Sequence, residues 1–331
     1  MLRPRFLRPF VVALIALSVI APSTAVAQGA VLADDPVLVE LGAVKERVSA
    51  ILDRFDIAVR GLVMGQGATY SLELLEQVYG FFPQFLEQRG AELALLEAAR
   101  MRGVVIDDAA IDAIIEQARA QFPDEATFQQ VLEGAGFRDV DQLRQVVRED
   151  ETVQALVAAI GAEVVLSELE VRVAYEALKP QLLQPGQVCA RHILVDDEAG
   201  AAALARAARG GANFAAMAAT ASIDRGSAVQ GGDLGCFAAG VMVAEFEAAA
   251  FGAEVGVATD PVRTAFGFHV ILVERRVEPR TPTLDEVRQP LEQQLRSERV
   301  DVTVQAIIQV SGVRTYPERI PSFAEAFGSA D

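Results

Sequence analysis

The sequence predicts an α + α/β chain: a helical domain, a small sheet-and-helix domain inserted behind it, and a last helix that packs back on the helical part. Three observations predict it. From Val37 to Pro180, apolar residues recur at three- and four-residue spacing, the period of a helix with one buried face. After Pro185-Gly186, short apolar runs at Ile193–Val195 and Val270–Val273 read as buried strands, with Ala-rich helical stretches between them. After Thr283 the helical stripe returns, through Leu284, Val287, Leu291 and Leu295 and on to Val302, Val304, Ile307 and Ile308. A stripe that long needs a covering surface, either the N-terminal helices or a second chain.

Residues 1–27 have the pattern of a secretory signal. Arg3, Arg5 and Arg8 precede an apolar run from Phe10 to Ala21, Pro22 breaks it, and Ala25-Val26-Ala27 offers a cleavage site. The run is too short for a bilayer, which needs about 20 residues. Export and cleavage after Ala27 are expected, giving a periplasmic or otherwise extracytoplasmic chain without stable membrane insertion.

Leu41 to Met64, Ser71 to Phe82 and Phe85 to Arg102 read as the first helices, the last ended by Gly103. Asp107 caps Asp108 to Phe122, whose Ile111, Ile114 and Ile115 share a face. Glu125–Leu132 and Val140–Ile160 follow. Ser167 and Glu170 form a capping box at the start of the next helix, and Pro180 lies at its end. In the second domain Val188–Val195 is a strand, Asp197–Arg209 and Phe214–Ala221 are helices, Ser222–Gly232 a loop, and Ala244–Phe251 a helix. Val262–Thr264 and His269–Arg275 close the sheet. Thr283 and Glu286 make another capping box, Pro290 should kink the helix they start, and the tail beyond Gly312 reads as loose.

The chain has 331 residues, a formal charge of −17, two histidines and two cysteines. A chain this acidic is a poor candidate for binding nucleic acid, and none is expected as a partner, because phosphate contacts need clustered Lys and Arg. The helical stretch carries no histidine, no cysteine and no acidic cluster at metal-ligand spacing, so it holds no candidate catalytic centre. Cys189 and Cys236 form no Cys-x-x-Cys pair. An exported chain permits a disulfide between them, but two separate thiols are the expectation. The histidines are His192 and His269, each at the edge of a buried run, where two strands of one sheet could set the imidazoles side by side.

Around them the motifs fall in a known order: Ala190-Arg191-His192-Ile193-Leu194-Val195, Gly211-Ala212-Asn213-Phe214, Ser222-Ile223-Asp224 and Gly231-Gly232-Asp233-Leu234-Gly235. These continue with Gly240-Val241-Met242-Val243, Phe246, Pro261-Val262 and Phe266-Gly267-Phe268-His269. This set resembles the parvulin-type peptidyl-prolyl cis/trans isomerases, over roughly Gln187 to Arg276. Leu93 to Tyr175 resembles the N-terminal chaperone domain of SurA-like isomerases. After the signal at 1–27, the resemblance implies a SurA-like helical chaperone domain at 28–183 and a parvulin domain at 184–277. It also implies a helix at 280–312 that completes the chaperone domain; a tail at 313–331 follows.

By the same resemblance, His192, Asp224 and His269 are the catalytic group, and Leu234, Met242, Phe246 and Thr264 bind the substrate. Each has a plainer reading: a hydrogen-bonded histidine pair, a turn-forming Asp, and apolar side chains in ordinary core packing. No metal or cofactor is implied, since rotation about a prolyl bond makes and breaks no bond to the substrate. The implied partners are unfolded or proline-containing polypeptides, and the implied function is an exported isomerase and foldase. The alternative is a binding chaperone whose parvulin domain is inactive. A phosphate-binding parvulin carries basic residues after the first strand; here Asp196-Asp197-Glu198 would repel a dianion, so no preference for phosphorylated substrates is expected.

Overall fold

The computed structural model describes residues 34–328. The expected signal and its cleavage site lie outside the described residues. Two compact units make up the chain: one runs to Val165 and resumes at Gln294, and the other spans Leu166–Gln293. Pro185-Gly186 and the end of the expected parvulin stretch at 277 both lie inside the second unit.

The first unit opens with a correction. Instead of helix it begins with strands β1 (Val37–Leu41) and β2 (Val44–Arg47), turned at Gly42, whose φ of 57° suits a residue without Cβ. A third strand, β7 (Arg314–Thr315), pairs antiparallel with β1, giving the order β2-β1-β7. The apolar Val37–Leu41 run was read as the front of a helix; at this length strand and helix cannot be told apart by period alone. Helices α1 (Val48–Gly65), α2 (Leu72–Tyr79) and α3 (Phe82–Met101) follow, α2 capped by the Ser71 hydroxyl. They bury Leu38, Val39, Ile51, Phe55, Leu75, Phe82 and Leu86 in one core.

Helices α4 (Asp108–Arg119), α5 (Glu125–Gly134) and α6 (Val140–Glu163) are each capped by an Asp side chain. Ile111, Ile115, Phe128, Leu132 and Val147 form their core. A buried guanidinium, Arg89 on α3, pairs with Glu46, Glu92 and Glu149 and so ties β2, α3 and α6 together.

The tail is a second correction: up to residue 328 it is packed, not loose. After β7, helix α13 (Phe323–Phe327) has a Ser322–Glu325 capping box, and Phe323 and Phe327 lie 5.5 and 5.9 Å from the Tyr79 ring. A five-residue helix is too short for its period to show in sequence. The aromatic pair, not propensity, holds it.

The second unit starts with α7 (Glu168–Leu178), which carries the Ser167–Glu170 capping box. Its sheet contains β3 (Gln187–Val195), β4 (Asp233–Ala238), β5 (Val262–Thr264) and β6 (Gly267–Val277), in the antiparallel order β4-β3-β6-β5. Strand β4 was not expected. Of its residues only Phe237 is buried, and an edge strand with one covered residue gives little periodic signal. Ile193, Val195 and Val270 face α8 (Glu198–Arg209) and α9 (Phe214–Ala221). On the other face Val188, Ala190, Ile271 and Val273 meet Phe246 and Ala250 of α11 (Ala244–Gly252). The short α10 (Arg225–Ala228) lies in the expected loop between α9 and β4.

The long helix α12 (Leu284–Val310) is continuous across Pro290. Its start belongs to the second unit, where the Arg288 guanidinium reaches the Glu168 carboxylate at 2.8 Å. Tyr175 Oη donates to Pro282 O at 2.8 Å, just before the helix. Its end belongs to the first unit, where Val300, Val304, Ile307 and Ile308 pack on Leu95 and Ala99 of α3 and on Val153, Leu156 and Ile160 of α6. Val302, counted in the sequence stripe, faces solvent, and Val300 takes its place.

Candidate active site

Strands β3 and β6 are direct neighbours, pairing His192 with Ile271 and Leu194 with His269. Their register sets both imidazoles on the α11 face of the sheet, stacked with centroids 5.2 Å apart and planes 22° from parallel. Both are buried. The His192 Nδ1 and His269 Nδ1 atoms are 3.0 Å apart.

Asp224 is the N-cap of α10, and its Oδ1 accepts from the Gly226 amide at 3.1 Å. That cap turns the other carboxylate oxygen inward, where Oδ2 lies 2.8 Å from His192 Nε2. The buried Ser227 hydroxyl donates to Asp224 Oδ2 and lies 3.0 Å from His192 Nε2. At the far end Thr264 Oγ1 is 2.8 Å from His269 Nε2 and accepts from the Phe266 amide at 3.1 Å.

With both imidazoles neutral, these contacts form one continuous run of donation. The carboxylate only accepts, so His192 Nε2 carries a proton, and its Nδ1 is then the acceptor of a neutral ring. His269 Nδ1 must therefore donate to it, which leaves His269 Nε2 to accept from the Thr264 hydroxyl. The whole chain, from Phe266 N–H through Thr264, His269 and His192 to Asp224, is satisfied with two neutral imidazoles and one anion. The electrostatics agree for the anion at Asp224 and the neutral ring at His269. The Ser227 hydroxyl and the His192 ring hold the Asp224 carboxyl down to about 2. Burial, and secondarily the adjacent His192, push His269 down to about 4, against a smaller opposing pull from Asp224.

Phe246 stands edge-on to both rings, 5.8 Å from His192 and 5.2 Å from His269. Leu234 and Met242 are half-buried in the same apolar cluster. The structure thus places His192, Asp224, His269 and Thr264 in one hydrogen-bonded row beneath Phe246, with Leu234 and Met242 beside it. Ser227 was missed in the sequence. The signal was there, since Asp224-x-x-Ser227 puts a hydroxyl three residues after a cap, where it faces back toward the capping side chain.

The cysteines are a third correction. Cys189 and Cys236 are directly opposed on β3 and β4 and form a disulfide, not two separate thiols. The missing information was β4 itself: without a strand at Cys236 nothing in the sequence set the two sulfurs across from each other.

Residues 181–276 match the PPIC-type PPIASE domain family. The chain is 32% identical over 220 residues to the foldase protein PrsA of Exiguobacterium sibiricum, covering 64% of this chain and 69% of that protein. It is 32% identical over 229 residues to the foldase protein PrsA of Oceanobacillus iheyensis, covering 67% of this chain and 73% of that one. The chain belongs to the PrsA foldase family. A solved structure in a study of two SurA-like chaperones of Campylobacter jejuni is 30% identical and covers 62% of this chain and 83% of its own, with a TM-score of 0.46. As a PrsA-family foldase the chain is a parvulin-type peptidyl-prolyl cis/trans isomerase, and its clients are polypeptides.

Proposed function

We propose that the row beneath Phe246 is the site at which this PrsA-family chain turns X-Pro bonds, and that it does so on exported clients. Rotation about a prolyl amide meets a barrier of about 20 kcal/mol, and every 1.4 kcal/mol removed is a tenfold gain in rate. The catalyst must therefore hold the twisted amide better than either planar form. The pyrrolidine ring sits against Phe246, Met242 and Leu234, which fixes the proline while the preceding carbonyl swings. Planar amide resonance loads negative charge on that carbonyl oxygen. Asp224, ionised across the physiological range, disfavours the loaded form when placed beside it, and twisting relieves the repulsion. The histidines set the Asp224 carboxylate and form the floor; they transfer no proton. Thr264 closes the row at the rim. The acidic stretch after β3, Asp196-Asp197-Glu198, favours clients without phosphate.

Export rests on the signal pattern at residues 1–27, and a periplasmic or other extracytoplasmic setting also suits the disulfide. The observation that carries the reading is the unbroken Asp224–His192–His269–Thr264 row directly under an apolar ring pocket. A protease-coupled proline-isomerisation assay, run beside an aggregation-suppression assay, tests it. Catalysed isomerisation is expected. Aggregation suppression with isomerisation at background would favour the binding chaperone with an inactive parvulin domain.

A further inference from the structure

We infer that Arg191 is a positioning residue for the isomerase, holding the turn from which the Asp224 end of the row is hung. The inference rests on the site reading above. Arg191 lies on β3 next to His192, and its side chain stands on the opposite face, away from the ring pocket. Its guanidinium makes four polar contacts. Nε meets Glu274 Oε1 at 2.6 Å, Nη1 donates to Gln230 O at 2.8 Å and to Gly231 O at 3.1 Å, and Nη2 is 3.5 Å from Asp233 Oδ2. Two of the four are main-chain carbonyls of one turn.

That turn touches both halves of the His192–Asp224 contact. Gly232 O accepts from the His192 amide at 2.8 Å, which fixes the backbone that carries the ring. The amides of Gln230 and Gly232 both donate to Ser227 O, at 2.9 and 2.8 Å, which fixes the residue whose hydroxyl bridges Asp224 and His192. The turn is packed so closely that it tolerates no side chain. A Cβ on Gly231 would stand 2.5 Å from Ala215 Cβ, and one on Gly232 would stand 2.2 Å from His192 O. Both glycines have positive φ, 70° and 78°. The fork from Arg191 holds this closely packed turn from its carbonyl side.

The path runs from Glu274 through the guanidinium to the 230–232 carbonyls, then through the Gln230 and Gly232 amides to Ser227, and so to Asp224 and His192. A planar fork with several fixed donors can grip two carbonyls and a carboxylate together. A lysine ammonium is a compact point charge and cannot reproduce that geometry.

The test uses the full chain with Arg191→Lys, Arg191→Gln and Glu274→Gln. Steady-state kinetics on an X-Pro peptide give kcat and KM separately. Proton–nitrogen spectra of the histidine rings report the His192 Nε2–H, which a merely structural arginine would not move in a folded protein. For Arg191→Lys we expect kcat to fall about tenfold with KM within about twofold. The His192 Nε2–H signal should broaden by exchange with water, and Arg191→Gln should lose at least as much. If both Arg191 variants fail to fold, Glu274→Gln loosens the guanidinium from its other end; a threefold fall in kcat with a shifted ring signal supports the clamp. Folded variants with kcat within twofold of wild type and an unmoved His192 signal overturn it. A wild type without isomerase activity, combined with a ring signal that moves in the variants, refutes the site reading and leaves the clamp standing.

Discussion

Acid should destabilise this fold in two separable steps, and the first belongs to His269. In the folded chain burial holds its imidazole down to about 4, against an ordinary value of 6.5. When pH falls from 7 to 4, the unfolded chain takes up a proton at this residue before the folded chain does. The unfolded state then binds more protons, so stability falls with pH across that window. At 1.36 kcal/mol per unit, the loss attributable to His269 is about 3 kcal/mol by pH 4. Asp224 follows. It is held down to about 2 from an ordinary 3.8, so the stability it contributes is present above that value and is lost between roughly pH 4 and 2. Its partial exposure limits the second step to about 1–2 kcal/mol. The assay is urea unfolding of wild type and His269→Asn at pH 7 and pH 4. Asparagine can still donate to His192 Nδ1 but does not titrate, so its stability should fall by about 3 kcal/mol less than wild type. Equal losses in the two proteins would refute the buried, neutral imidazole on which the whole direction of the row depends.

Met242→Ala should raise KM for X-Pro peptides severalfold while leaving the melting transition nearly unchanged, because the side chain is only half-buried; initial-rate measurements over a range of peptide concentration read it. Reduction of the Cys189–Cys236 disulfide opens a loop of 47 residues and should cost the second unit about 4 kcal/mol. Denaturant midpoints with and without a thiol reductant measure that loss, and an unmoved midpoint would contradict the bridge. Truncation at Arg280 uncovers Leu95, Ala99, Leu156 and Ile160, and should lower the melting temperature of the first unit by roughly 10 °C. An unchanged melting temperature in a newly monomeric protein would mean that the stripe on α12 served a second chain instead.

Much of the site was legible because its residues are chemically rare in this chain. The two histidines stand in apolar runs whose period marks them as strands, and the motifs between them fix the order of the elements. Thr264, Phe246 and Met242 were reached through those motifs. Ser227 was not, although its place three residues after the Asp224 cap was a local signal, because the motifs that led to the other residues do not include it. Arg191 was quoted as part of a motif without a task, since its task lies in carbonyls, which a sequence does not distinguish. The helical domain was legible from its apolar period and from two of its caps, Asp107 and Ser167, which accept from the Ala109 and Glu170 amides; Ser71, Asp124 and Asp139 cap in the same way without having been singled out. The sheet β2-β1-β7 was not, because its third strand has two residues and lies over 260 residues away in sequence from its partner. Long-range pairing of that kind leaves no local pattern. The disulfide failed for a related reason, as it depends on an edge strand that only the fold reveals.

The most direct test of the central claim is magnetisation-exchange spectroscopy on a short X-Pro peptide with catalytic amounts of the full chain. Exchange cross-peaks between the cis and trans forms should appear with wild type. They should weaken at least tenfold with folded Phe246→Ala, whose lost ring empties the pocket over the two histidines. Cross-peaks of equal strength with both proteins would contradict the account.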